Sequence, residues 1–68
     1  MNEYAVEIHI LDSDTGEWVI KEPNYMVEAY DDADAHSKTN RYASNHYNNW
    51  RIENIRLIKK FANPDGEI

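Results

Sequence analysis

The chain has no cysteine, two glycines and two prolines in 68 residues. Without cysteine there are no disulfides and no thiolate metal sites, so a domain this small must stabilise itself by packing or through a partner. At this length folding removes only about 60% of the chain's surface from water, which makes for a thin core. Gly16 and Gly66 stand too far apart for a glycine-rich phosphate loop. No apolar run exceeds four residues, far short of the roughly 20 that cross a bilayer. Met1-Asn2-Glu3-Tyr4 shows no basic segment leading into an apolar one. Together these absences set the expectation of a soluble, cytoplasmic protein of a reducing compartment, without membrane association.

Acidic charge is abundant and unevenly placed. The net charge is −6; residues 1–34 carry ten acids against one base, residues 35–68 three acids against six bases. Such asymmetry suits a protein whose two faces meet different partners. Eight asparagines point to loops and helix ends, where their short amide is favoured.

Tyr4, Val6, Ile8 and Ile10 alternate with Ala5, Glu7, His9 and Leu11, the period of a strand with one buried face. Asp12-Ser13-Asp14-Thr15-Gly16-Glu17 reads as a hairpin turn, and Trp18-Val19-Ile20 begins the returning strand. Glu22-Pro23-Asn24 admits two readings: a turn that makes a three-stranded meander, or a bulge that bends one long strand. Tyr25–Tyr30 is extended in both, with Val27 and Ala29 inward. Asp31-Asp32-Ala33-Asp34 opens a helix, its carboxylates capping free N–H groups and complementing the helix dipole. Ala35, Thr39, Tyr42, Ala43 and His46 form the inner stripe, and Asn48-Asn49 ends the helix with a left-handed asparagine. Trp50–Phe61 is a last strand whose alternation slips near Glu53-Asn54, the mark of a bulge.

The expectation is therefore an α+β domain over residues 1–62 with a loose tail over 63–68. It is a small antiparallel sheet with one helix packed on one face, in the order β-β-β-α-β. The bent-strand alternative gives β-β-α-β. In the meander the last strand runs parallel to the first and beside it.

Little chemistry fits. A calcium loop needs glycine at its sixth position and glutamate at its twelfth; counted from Asp12, glycine is fifth and Pro23 twelfth. His36 and His46, ten residues apart on a helix, are separated by about 80° and about 15 Å of rise, too far to share an ion. Ser13, Ser37 and Ser44 lack a nucleophile elbow. The pairs Asp31-Asp32 and Asp12-Asp14 have ready work in a cap and a turn. The expectation is a non-enzyme with no metal and no cofactor.

Two surfaces remain for binding. One is acidic: Asp12, Asp14, Glu17, Glu28, Asp31, Asp32 and Asp34, with Glu3, Glu7 and Glu22, able to steer toward a basic partner or stand where it expects phosphates. The other is basic and aromatic, with Arg41, Arg51, Arg56, Lys59 and Lys60 able to hold nucleic acid. One helix on one sheet cannot bury Trp18, Tyr30, Tyr47 and Trp50 together, so these are candidate interface anchors, for a foreign protein or for a homodimer.

Tyr4-Ala5-Val6-Glu7-Ile8, Gly16-Glu17-Trp18-Val19, Pro23 and the acidic entry to an alanine-bearing helix resemble the N-terminal part of HicB-type antitoxins, over about residues 4–43. That resemblance implies the β-β-β-α-β order. In size, acidity and lack of cysteine the whole chain is similar to phage-encoded anti-CRISPR and other anti-defence proteins. This likeness implies an inhibitor that blocks a host nucleic-acid-handling protein or nucleoprotein complex by docking on it. The alternative is an antitoxin-like or regulatory module binding RNA or DNA through its basic C-terminal half.

Overall fold

The computed structural model describes residues 1–60; Phe61 and the tail expected over 63–68 lie outside the described residues. Four elements follow in order: β1 (Asn2–Leu11), β2 (Trp18–Ala29), α1 (Asp32–His46) and β3 (Trp50–Lys60). They form a three-stranded antiparallel sheet ordered β2-β1-β3, with the helix on one face. The order is thus β-β-α-β, and the meander is overturned. Glu22-Pro23-Asn24 lies inside β2, where the register slips twice. Between Val6↔Tyr25 and Ile8↔Glu22, and again between Ile8↔Glu22 and His9↔Ile20, β2 uses one residue more than β1. Pro23 is tolerated because β2 is an edge strand. With one strand fewer before the helix, the chain re-enters the sheet on the far side of β1. There β3 runs antiparallel to β1, not parallel as the meander required.

Direct cross-strand partners share a face, so the register defines both sides of the sheet. Tyr4, Val6, Ile8 and Ile10 face the helix with Val27, Tyr25, Glu22 and Val19 on one side and Leu57, Ile55, Ile52 and Trp50 on the other. Tyr4, Val6, Ile8, Ala29, Ala35, Thr39 and Ala43 are buried. The alanines let the helix approach closely, and the core is as thin as the length implies. The bulge expected near Glu53-Asn54 is present, and β3 slips again at Ile58.

Asp31 caps α1, its carboxylate accepting from Asp34 N–H at 2.8 Å, while Asp34 reaches back to Tyr30 N–H at 2.9 Å. The helix ends differently from expectation. Its C-cap is Tyr47 in extended backbone (φ −133°), and the Tyr47 N–H closes the last turn on the Ala43 carbonyl. No non-glycine residue among those described has positive φ. The extended cap turns the Tyr47 ring back under the helix instead of letting an asparagine terminate it.

The radius of gyration is 14.0 Å, against about 11 Å for a compact domain of this length. A 15-residue helix is about 22 Å long, whereas a 12-residue strand runs to about 40 Å. The helix is therefore shorter than the strand it packs on, and Val19 on the helix side of β2 stays 40% exposed.

Candidate protein-docking surface

The face away from the helix carries Glu3, Ala5, Glu7, His9 and Leu11 of β1. They lie between Glu28, Met26, Ile20 and Trp18 of β2 and Lys59, Arg56, Asn54 and Arg51 of β3. Among the described residues no element covers it, yet Ala5 is only 2% exposed. The cover comes from arginines. Arg56 of β3 donates to Asn24 Oδ1 of β2 at 2.6 Å, and the guanidinium of Arg51 sits 4.7 Å from the Trp18 ring centroid. Each side chain therefore crosses β1 and lays its aliphatic stem on it. Arg51 also pairs with Glu53, and His9 Nε2 with Glu7. These two arginines supply in part the second layer that the chain is too short to build.

The basic residues are distributed over more than one surface. Arg51 and Arg56 are engaged within the sheet, Lys59 lies beside Glu3 in register, Lys60 falls on the opposite face opposite Asn2, and Arg41 sits on the helix. Glu3, Glu7 and Glu28 are interleaved with them. The acidic residues are divided as well. Asp31 and Asp34 are engaged in the helix cap, and Lys38 lies 3.5 Å from Asp34 and donates to the Glu28 carbonyl. Asp32 is exposed at the same helix start.

The hairpin turn is different. Asp12 Oδ1 accepts from Asp14 N–H, the Asp12 carbonyl from Gly16 N–H, and Thr15 Oγ1 from Glu17 N–H. Gly16 takes φ +73°, the conformation an L side chain resists. These bonds fix the loop while the carboxylates of Asp14 and Glu17 point to water, and no ion pair among the described residues reaches Asp12, Asp14 or Glu17. Directly after them come Trp18, Val19 and Ile20, exposed by 38%, 40% and 57%. Of the four aromatic anchors, Trp18 and Tyr30 are exposed. Trp50 is half-buried with its Nε1–H on Asn40 Oδ1, and Tyr47 is half-buried in a cluster that sequence reasoning missed.

That cluster centres on Glu22. Its Oε2 accepts from the hydroxyls of both Tyr42 and Tyr47. Tyr25 stacks on Tyr42 at 4.2 Å, with His46 packed against Tyr42 from the other direction. The Glu22 hydrogen bond, then burial, raises the pKa of Tyr42, and the same causes push Tyr47 further. Burial, then the nearby Glu22 charge, raises Tyr25. Simple alternation from Ala29 would turn Glu22 outward; the first β2 bulge, after Tyr25, turns it inward and the second restores the alternation, and only a known register reveals it. The arrangement is a closed polar rivet between β2 and the helix end, with both phenols directed at one oxygen. Beside it a cleft of about 290 Å³, lined by Ile10, Leu11, Ser13, His46, Tyr47, Asn48 and Asn49, contains no carboxylate. Among the described residues no three acidic or histidine side chains gather as a metal site, and no helix is long and apolar enough to cross a membrane. No protein-family model matches the chain, and neither a curated protein nor a solved structure is significantly similar to it.

Proposed function

We propose that the chain is a non-catalytic binding protein that docks on a larger, nucleic-acid-handling protein of a bacterial host and inhibits it, in the manner of phage anti-defence proteins. The observation that supports this reading is the hairpin end, where Trp18 and Ile20 on one face of β2 and Val19 on the other are exposed beside the carboxylates of Asp12, Asp14 and Glu17, which form no ion pair among the described residues. Apolar anchors next to fixed charge of one sign suit a basic protein surface, with the carboxylates steering approach and the aromatic ring supplying buried contact. A net charge of −6 works against direct binding of nucleic acid, and engagement of Arg51 and Arg56 inside the sheet works the same way. The site of action on this reading is the host cytoplasm.

The test is capture from bacterial lysate on the immobilised chain, with mass-spectrometric identification, comparing wild type with Asp12→Lys/Asp14→Lys. Loss of one basic, nucleic-acid-handling partner in the variant, with an unchanged circular dichroism spectrum, supports the reading. Equal capture by both proteins removes the hairpin end from consideration. Retention of a labelled single-stranded oligonucleotide at moderate salt, lost on Arg51→Glu/Lys59→Glu, would favour the nucleic-acid alternative instead.

A further inference from the structure

We infer that the chain self-associates through the outer edge of β2, two copies pairing antiparallel about Val19. The rims of the sheet belong to β2 and β3, and most of their length is closed to pairing. β3 is broken by bulges at Glu53 and Ile58 and studded with Arg51, Arg56, Lys59 and Lys60, devices that keep edges from joining. In β2, residues 21–24 contain both bulges and Pro23, which has no N–H to donate. Nearer the helix, Lys38 Nζ donates to the Glu28 carbonyl at 2.8 Å. The regular stretches that remain are Tyr25–Val27 and Trp18–Ile20, and of the two only Trp18–Ile20 is flanked by opposite charges, Glu17 and Lys21. It pairs regularly with Leu11–His9 on its inner side. Among the described residues it makes no hydrogen bond outside that ladder.

The segment is complementary to itself. Glu17-Trp18-Val19-Ile20-Lys21 reads as an acid, three apolar residues and a base. Antiparallel pairing centred on Val19 sets Glu17 against Lys21 of the second copy and Trp18 against its Ile20, each contact occurring twice by symmetry. A parallel arrangement would instead oppose Glu17 to Glu17 and Lys21 to Lys21. A slip by one residue breaks both charge pairs, setting Glu17 against Ile20 and Lys21 against Gly16 in one direction, and Lys21 against Trp18 and Glu17 against Glu22 in the other. Glu17 and Lys21 are exposed, and no ion pair among the described residues occupies either.

The two-fold axis stands perpendicular to the sheet, so pairing yields one continuous six-stranded sheet. Trp18 and Ile20 of both copies then share a row on the open face, doubling the apolar surface that the docking reading uses. The inference does not depend on that reading. About five paired residues a side bury well under the roughly 1,200 Å² of a stable standard interface, so the dimer is weak and forms at high micromolar concentration.

Sedimentation of the full chain from micromolar to millimolar concentration tests it. The weight-average mass is expected to rise from 8.0 kDa toward twice that value. Glu17→Lys and Lys21→Glu, each alone, oppose like charges and hold the chain at monomer mass where wild type associates. An equimolar mixture of the two variants restores association, because one presents two lysines to the two glutamates of the other. Circular dichroism checks that both fold. A wild-type mass fixed at 8.0 kDa into the millimolar range overturns the inference, as does unchanged association of the single variants or a monomeric mixture. None of these failures touches partner capture, which is read separately through Asp12 and Asp14.

Discussion

Replacing Glu22 with alanine should cost this domain most of its stability, because one carboxylate oxygen satisfies two phenols. Tyr42 and Tyr47 both donate to Glu22 Oε2, and both rings are half-buried. A hydrogen bond to a charged group contributes roughly 1.5–3 kcal/mol net, and partial exposure argues for the low end, so the pair amounts to about 3 kcal/mol. A domain of this size has only about 3–5 kcal/mol in total. Glu22→Ala should therefore be largely unfolded near 37 °C. Glu22→Gln keeps an acceptor of the same shape and loses charge assistance, about 1 kcal/mol. Urea titration followed by circular dichroism should rank wild type above Gln above Ala at constant slope. An alanine variant within about 0.5 kcal/mol of wild type, inside the range of ordinary surface substitutions, would refute the rivet.

The remaining predictions are smaller. Tyr25, Tyr42 and Tyr47 ionise above the ordinary value of 10.0 in the folded chain. The stability they add is complete below that pH and declines as pH rises beyond it, since the unfolded chain releases those protons first. Urea midpoints should fall above about pH 10, and less steeply in Glu22→Gln; equal slopes would separate the tyrosines from Glu22. Thr39 is fully buried with Oγ1 unpartnered, so Thr39→Val should stabilise by about 1 kcal/mol and raise Tm by about 4–8 °C. A lower Tm would mean that the hydroxyl has an acceptor. Arg56→Met keeps the stem over Ala5 and should cost under about 1 kcal/mol, whereas Arg56→Ala uncovers it and should cost about 1–2. Equal melting temperatures for the two variants would assign the effect to the Asn24 bond alone.

What was legible in the sequence was local. The alternation of Tyr4 to Ile10, the turn at Asp12–Glu17, the acidic helix entry and the slip at Glu53 each depend on neighbours within a few residues, and each is present. The joint at Glu22-Pro23-Asn24 was ambiguous because proline at an edge bulge and proline in a turn have the same local signature. The choice between them follows from pairing with β1, a long-range contact. The same choice decides which side of the sheet Glu22 occupies and whether β3 runs with or against β1. Tyr42 was assigned to the inner stripe by its spacing, but its partner could not be named before Glu22 was turned inward.

The candidate surface was half legible for a related reason. Sequence shows that Trp18, Tyr30, Tyr47 and Trp50 exceed what one helix can bury, but not which escape. Geometry resolves this through the face each ring occupies: Tyr47 and Trp50 meet Glu22 and Asn40 on the helix side, whereas Trp18 lies on the face away from the helix. The charges sort by the same constraint. Asp31 and Asp34 are recruited to the helix cap, arginines of β3 are drawn across β1 over a face that no described element covers, and the turn acids make no ion pair among the described residues. A thin domain thus uses most of its polar groups to hold itself together. At the hairpin end Trp18 and Ile20 stand exposed beside turn acids that no ion pair among the described residues neutralises, which is why binding is proposed there.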